Sequence, residues 1–192
     1  MKDHLKECSK QLRKSSDIFM NCFLIGYFII GLLLSPYNNT WAAGIGLGSL
    51  LLIVYFSSKR IPGTNLYQYL ASIAIGIFAA QFIYQMGGMI EMHIFILIGS
   101  AFLIIYRNWK LQLPLALVTI LHYGISGYYR FMNTSKEYVL QMNYASMSIL
   151  LLHCFFILVI ISFCGLLAHV LKTSEDDYVI QDFKRRHAQR VK

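Results

Sequence analysis

Charge is what this sequence has least of. Only 14% of its 192 residues are charged, against 57% hydrophobic, whereas a soluble domain carries roughly a quarter charged residues. That shortage excludes an ordinary water-soluble globule, because too few charges remain to cover its surface. Acidic residues are the scarcer kind: nine Asp and Glu stand against seventeen Lys and Arg, a net charge of +8. The four cysteines (Cys8, Cys22, Cys154, Cys164) include no CxxC pair, which excludes a disulfide framework. No small-x-small cleavage site follows the first apolar run, so that run reads as a retained helix rather than a signal peptide. No nucleophile or substrate-recognition motif is visible, which weighs against a catalytic activity in this chain and leaves the question open.

What the sequence does have is apolar runs of near-spanning length, roughly 17 to 25 residues each. They cover Ile18 to Ser35, Trp41 to Ser57, Tyr69 to Gln85, Met89 to Tyr106, Leu111 to Tyr129, and Tyr144 to Leu171. The expected fold class is therefore an all-α integral membrane protein with six transmembrane helices. Three parts are expected: a basic interfacial segment over residues 1–17, a six-helix domain over 18–172, and a cytoplasmic basic tail or signalling-helix stub over 173–192. Lys and Arg crowd the N-terminus, the second loop (Lys59, Arg60), the fourth loop (Arg107, Lys110) and the C-terminal tail, and spare the first and third loops. The positive-inside rule then places both termini in the cytoplasm. The basic flanks face the anionic lipid bilayer and call for no nucleic acid.

Ionisable groups at membrane depth are costly and mark functional positions. Glu91, His93, His122 and His153 are such groups. At about 1.5 Å of rise per residue, the three histidines lie roughly 6, 10 and 13 Å below the outer surface. They fall on three consecutive helices, which are usually neighbours. His93 shares a helical face with Ser100, His122 with Thr119 and Ser126, and His153 with Ser146, so each imidazole sits on a polar stripe expected to face the interior. Glu91 and His93 are about 200° apart on one helix and cannot both point inward. Glu91 joins the site only if the helix begins after it, with Gly87-Gly88 turning the chain back. Its other role is a carboxylate at the positive end of a helix dipole.

Neutral imidazoles with a carboxylate suit Cu, Zn or Fe. The expected metal set is Glu91, His93, His122 and His153. Gln81, Tyr84, Gln85, Ser100 and Thr119 are expected around it as partners of the ligating rings. Alternatively, His122 and His153 would hold a haem b axially. Tyr123 reads as an interfacial aromatic.

The segments Gly87-Gly88-Met89-Ile90-Glu91-Met92-His93, Tyr106-Arg107-Asn108-Trp109-Lys110, Leu121-His122 and Leu152-His153 resemble a known domain. It is the six-helix N-terminal membrane sensor domain of bacterial chemoreceptors, sensor histidine kinases and diguanylate cyclases. The family pattern is similar to G-G-x-I-E-x-H-F, Y-R-D-W-R, H-H and L-H. The chain departs from it at Tyr123, where the pattern has a second histidine, and at Asn108, where it has aspartate. The resemblance implies a multi-pass protein of the bacterial inner (plasma) membrane that acts as a homodimer. It also implies a cytoplasmic signalling output domain or partner, served through the last helix. The expected function is a sensory input module with a metal site in the outer half of the bilayer. The alternatives are a haem-binding sensor or electron-transfer protein and a membrane metalloenzyme. A transporter fits less well, since only Gly87-Gly88 interrupts a helix and no inverted repeat is evident.

Overall fold

The computed structural model describes residues 2–61, 64–131 and 147–190, with side chains over 13–61, 64–128, 148–181 and at Arg185. The expectations that fall on Tyr144 and Ser146 lie outside the described residues. Every regular element among the described residues is helical: α1 (Lys2–Leu34), α2 (Gly48–Ser58), α3 (Leu66–Gln85), α4 (Ile94–Leu103), α5 (Gln112–Phe131) and α6 (Met147–Arg190). A π-helical turn, Ala42–Leu47, leads into α2. Short 3-10 turns, Ile90–His93 and Ile104–Tyr106, flank α4, and a third, Trp109–Leu111, opens α5.

Helices run through both of the boundaries expected at residues 17 and 172. Residues 1–17 form no separate interfacial helix, because α1 runs unbroken from Lys2 to Leu34. The C-terminal segment is likewise continuous with the last apolar run, and α6 extends over 44 residues, a rod about 66 Å long. Neither junction carries a proline or glycine to stop the helix. The periodic pattern therefore continues from the apolar stretch into the charged one.

Among the described residues, three helices are long and apolar enough to cross a membrane: Arg13–Leu34, Leu66–Gln85 and Ser148–Gln181. Ala42–Ser58 and Ile90–Tyr106 are apolar but shorter. The distribution of side chains suits a lipid solvent. Large apolar residues lie outward, as at Leu33 (73% exposed), Leu151 and Phe163 (65% each). Polar residues such as Gln68, Ser72, Gln85, Ser100 and Gln112 are buried. Lipid does not reward burial of apolar surface, so helices of such a bundle associate through close packing and polar contacts.

Helix α3 is the axis of the fold and packs on α1, α2, α4 and α5. Glycines allow the close approach. A Cβ at Gly99 would stand 2.1 Å from Ile75 Cγ2, and one at Gly76 would stand 2.8 Å from Val118 Cγ1. Tyr27 of α1 fills the centre against Phe78, Phe82 and Phe95 and donates its hydroxyl to the Phe95 carbonyl at 2.7 Å. At the basic end of the bundle, Asp17 accepts from the hydroxyls of Tyr67 (3.0 Å) and Tyr106 (3.1 Å), joining α1 to α3 and to the end of α4. Lys59 lies over the rings of Tyr55 and Tyr67, and its burial there pushes the ammonium pKa below the usual lysine range.

Two turns place the candidate site and its link to α6. Gly87 (φ 64°) and Gly88 (φ 85°) are left-handed. The Gly88 N–H reaches the Ile83 carbonyl at 2.8 Å and the Gly87 N–H reaches Tyr84 at 3.0 Å. That is the Schellman ending of a helix, and glycine adopts its backbone without steric cost. The chain then enters the Ile90–His93 turn directly. At the other end of α4, Arg107 takes a left-handed backbone (φ 50°). The Asn108 side chain accepts the Lys110 N–H at 3.2 Å, which caps the turn that reverses the chain into α5.

Candidate functional site

The structure brings His93, His122 and His153 together. His93 ends the short turn before α4, His122 lies midway along α5, and His153 lies in the first turns of α6. The His93 ring centroid is 5.2 Å from that of His153 and 6.1 Å from that of His122. Tyr123 completes the group, at 5.3 Å from His93, 5.8 Å from His122 and 6.4 Å from His153. His93 is 2% exposed and Tyr123 6% exposed.

The hydrogen bonding of His93 fixes its tautomer. Its Nδ1 lies 2.8 Å from the Ile90 carbonyl oxygen. A carbonyl can only accept, so Nδ1 carries the proton and Nε2 of the neutral ring carries a lone pair. That Nε2 is buried and has no hydrogen-bond partner among the described residues, and the same holds for the Tyr123 hydroxyl. A buried polar atom without a partner costs about 1–3 kcal/mol. Two of them on adjoining rings mark a place where something polar belongs.

Glu91 is exposed and lies outside the group. In a 3-10 turn, successive residues are 120° apart, so a residue two before an inward His93 is directed elsewhere. The partners expected around the ligating rings are also engaged differently. Gln85 donates to the Gly31 carbonyl at 3.0 Å and to Ser35 Oγ at 3.1 Å, and Gln81 donates to Gln85 Oε1 at 3.3 Å. Both glutamines thus serve the contact of α3 with α1. Tyr84 is exposed. Ser100 donates to Gln112 Oε1, and the Gln112 amide returns a bond to the Ser100 carbonyl, each at 2.9 Å, tying α4 to α5. Thr119 bonds back to Leu115 on its own helix. The group that orients an imidazole is the Ile90 carbonyl. No residue type reveals such a role in advance.

The residues can be tested against the groups expected of them. As the side chains stand, no three His, Cys, Asp or Glu among the described residues are grouped to hold a metal. Ring spacing shows how far they are from doing so. With nitrogen–metal bonds of about 2.0–2.1 Å, two imidazoles on a tetrahedral ion have centroids roughly 5 Å apart. His93 and His153, at 5.2 Å, have this spacing; His93 and His122, at 6.1 Å, stand wider. One of these two pairs thus has the spacing of imidazoles sharing an ion, and the other is about 1 Å wider. A haem held between His122 and His153 would have to displace two other rings. The rings of His93 and Tyr123 lie within 5.2–6.4 Å of both of those imidazoles, in the space the macrocycle would need.

Sequence reasoning missed Tyr123 as a member of this group and missed the Asp17–Tyr67–Tyr106 clasp. In both cases the signal was an aromatic hydroxyl near the end of an apolar run, which also suits an interfacial anchor. No known protein family, curated protein or solved structure matches this chain.

Proposed function

We propose that this chain is a membrane sensory input module that binds a transition metal ion through His93, His122 and His153 and passes a signal through α6. The observation that carries the proposal is the buried, unpartnered lone pair of His93 Nε2 beside two further imidazoles. The hydrogen bond from Nδ1–H to the Ile90 carbonyl is the kind of support that raises a histidine's basicity and holds it ready to ligate. In this reading all six helices span the bilayer, both termini are cytoplasmic, and the site lies in the outer half. The Lys/Arg pattern of the loops supports that orientation. The module sits in the bacterial inner membrane, acts as a homodimer and serves a cytoplasmic output domain or partner. The resemblance of the Gly87–His93 and Tyr106–Lys110 segments supports this placement.

Signalling needs two arrangements with different affinity for the ligand. His153 is the only one of the three histidines on α6, and α6 is the helix that continues to Arg190. Drawing His122 in toward His93 and His153 would shift α5 against α6, which packs on it, and so bias the position of that rod. Glu91, the general base that the metalloenzyme alternative would use, is exposed.

The test is elemental analysis of the purified full-length chain alongside its His93→Ala variant, with helix content followed by circular dichroism. Stoichiometric metal on the native chain, lost in a variant that keeps its helicity, supports the reading. A native chain that takes up no Cu, Zn or Fe overturns it.

A further inference from the structure

Three imidazoles leave a tetrahedral ion one ligand short, and Glu91, two residues before His93, is exposed. The fourth ring of the group carries a hydroxyl. Tyr123 is buried among the three histidines, and its hydroxyl has no hydrogen-bond partner among the described residues. A tyrosine hydroxyl in an apolar interior ordinarily finds a partner. The ring of His93, with its centroid 5.3 Å away and tilted by 33°, carries an unpartnered Nε2 as well.

We propose that the Tyr123 oxygen is the fourth ligand of this site, completing a three-imidazole, one-phenolate set for an oxidised redox-active ion, ferric or cupric. The proposal rests on the reading of the histidine group as a metal site and names the metal class that site takes. On binding, the phenol O–H breaks, an oxygen–metal bond forms, and one proton is released to solvent. The phenolate then contributes the one negative charge of an otherwise neutral donor set, and it does so where unbalanced charge is costly. Zinc is held by thiolate, imidazole and carboxylate. Anionic phenolate oxygen suits ferric iron and cupric copper, and tyrosine is an established ligand of iron.

The experiment titrates the purified full-length chain and its Tyr123→Phe variant separately with ferric, cupric and zinc salts. Visible absorption and bound metal per chain are both measured. The phenyl ring preserves the packing, and circular dichroism confirms that both proteins are folded. The native chain is expected to bind one ferric or cupric ion and to show a phenolate-to-metal charge-transfer band, with no band for zinc, whose d shell is full. Tyr123→Phe is expected to lose the band and to bind the same ion about 10-fold more weakly or worse. Metal bound by the native chain without a band, or a band that survives in Tyr123→Phe, overturns the tyrosine assignment and leaves the histidine site standing. A native chain that binds none of the three ions overturns both.

Discussion

Arg107 Nη1 lies 2.7 Å from Glu175 Oε2, an ion pair that ties the turn between α4 and α5 to the extension of α6. Both residues are partly shielded, with side chains 35% and 15% exposed. Lys172 lies 3.9 Å from the same Glu175 oxygen and 3.0 Å from Asp176, so the pair belongs to a small charge network. The turn it anchors begins at the left-handed Arg107 itself, which makes the contact a registration point between bundle and rod.

Replacing either partner should therefore change position more than stability. A pair of this exposure contributes at most about 1 kcal/mol. Arg107→Ala and Glu175→Ala are each expected to unfold within that margin of the native chain. Amide hydrogen exchange over the α6 segment beyond Leu171 should nevertheless quicken in both. The exchanged pair, Arg107→Glu with Glu175→Arg, should restore part of the protection. Unchanged exchange in both single variants would show that the ion pair registers nothing.

Glu91→Gln should leave metal binding by the native histidine group unchanged, because the carboxylate is exposed and lies outside the cluster. Isothermal titration with the same ion on the two proteins checks this. A loss of affinity comparable to that of His93→Ala would return Glu91 to the ligand set.

Glycine replacements separate packing from propensity. Gly99→Ala forces a Cβ to within 2.1 Å of Ile75 Cγ2, and overpacking of this kind costs about 1–3 kcal/mol. At Gly26, in the middle of α1, nothing lies within 4 Å of an added Cβ. Gly26→Ala should be neutral or stabilise by up to about 1 kcal/mol through helix propensity alone. Thermal unfolding in one detergent measures both, and the two shifts should have opposite sign or clearly different size.

Gln85→Leu removes the donors to the Gly31 carbonyl and Ser35 Oγ and so loosens α3 from α1. Ser35 Oγ keeps its bond to the Gly31 carbonyl, but the buried Gln81 amide loses its acceptor, Gln85 Oε1. The expected cost is about 1–3 kcal/mol, the range for a buried polar group left without its partner. Chemical unfolding of the two proteins in mixed micelles reads it directly. Metal binding should persist, since Gln85 serves the α1 side of α3.

The meeting of His93, His122 and His153 could be anticipated because depth along a helix is a count of residues and facing is a matter of period. Both are local properties, readable without knowing any neighbour. The role of Glu91 stayed open in the sequence because it depended on where the helix before α4 begins. The Schellman ending at Gly87-Gly88 and the short 3-10 turn decided it. Tyr123 was overlooked for a related reason. It is one residue from His122 and therefore about 100° around α5. Both rings can reach His93 only because His93 sits opposite the groove between them. Gln81 and Gln85 were placed on the correct helix and paired with the wrong neighbour, since a polar stripe does not say which helix it will face.

The sequence by itself determined the helical character, the apolar runs and the basic ends, because hydropathy and periodicity act within a few turns of chain. It also marked the histidines as costly groups at similar depth. Only the tertiary structure decided which partners they meet: Tyr123 inside the group, Glu91 outside it, and the Ile90 carbonyl as the group that sets the tautomer of His93. Those outcomes depend on how neighbouring helices are rotated about their axes. Small residues such as Gly76 and Gly99 help to set that rotation through contacts between distant parts of the chain.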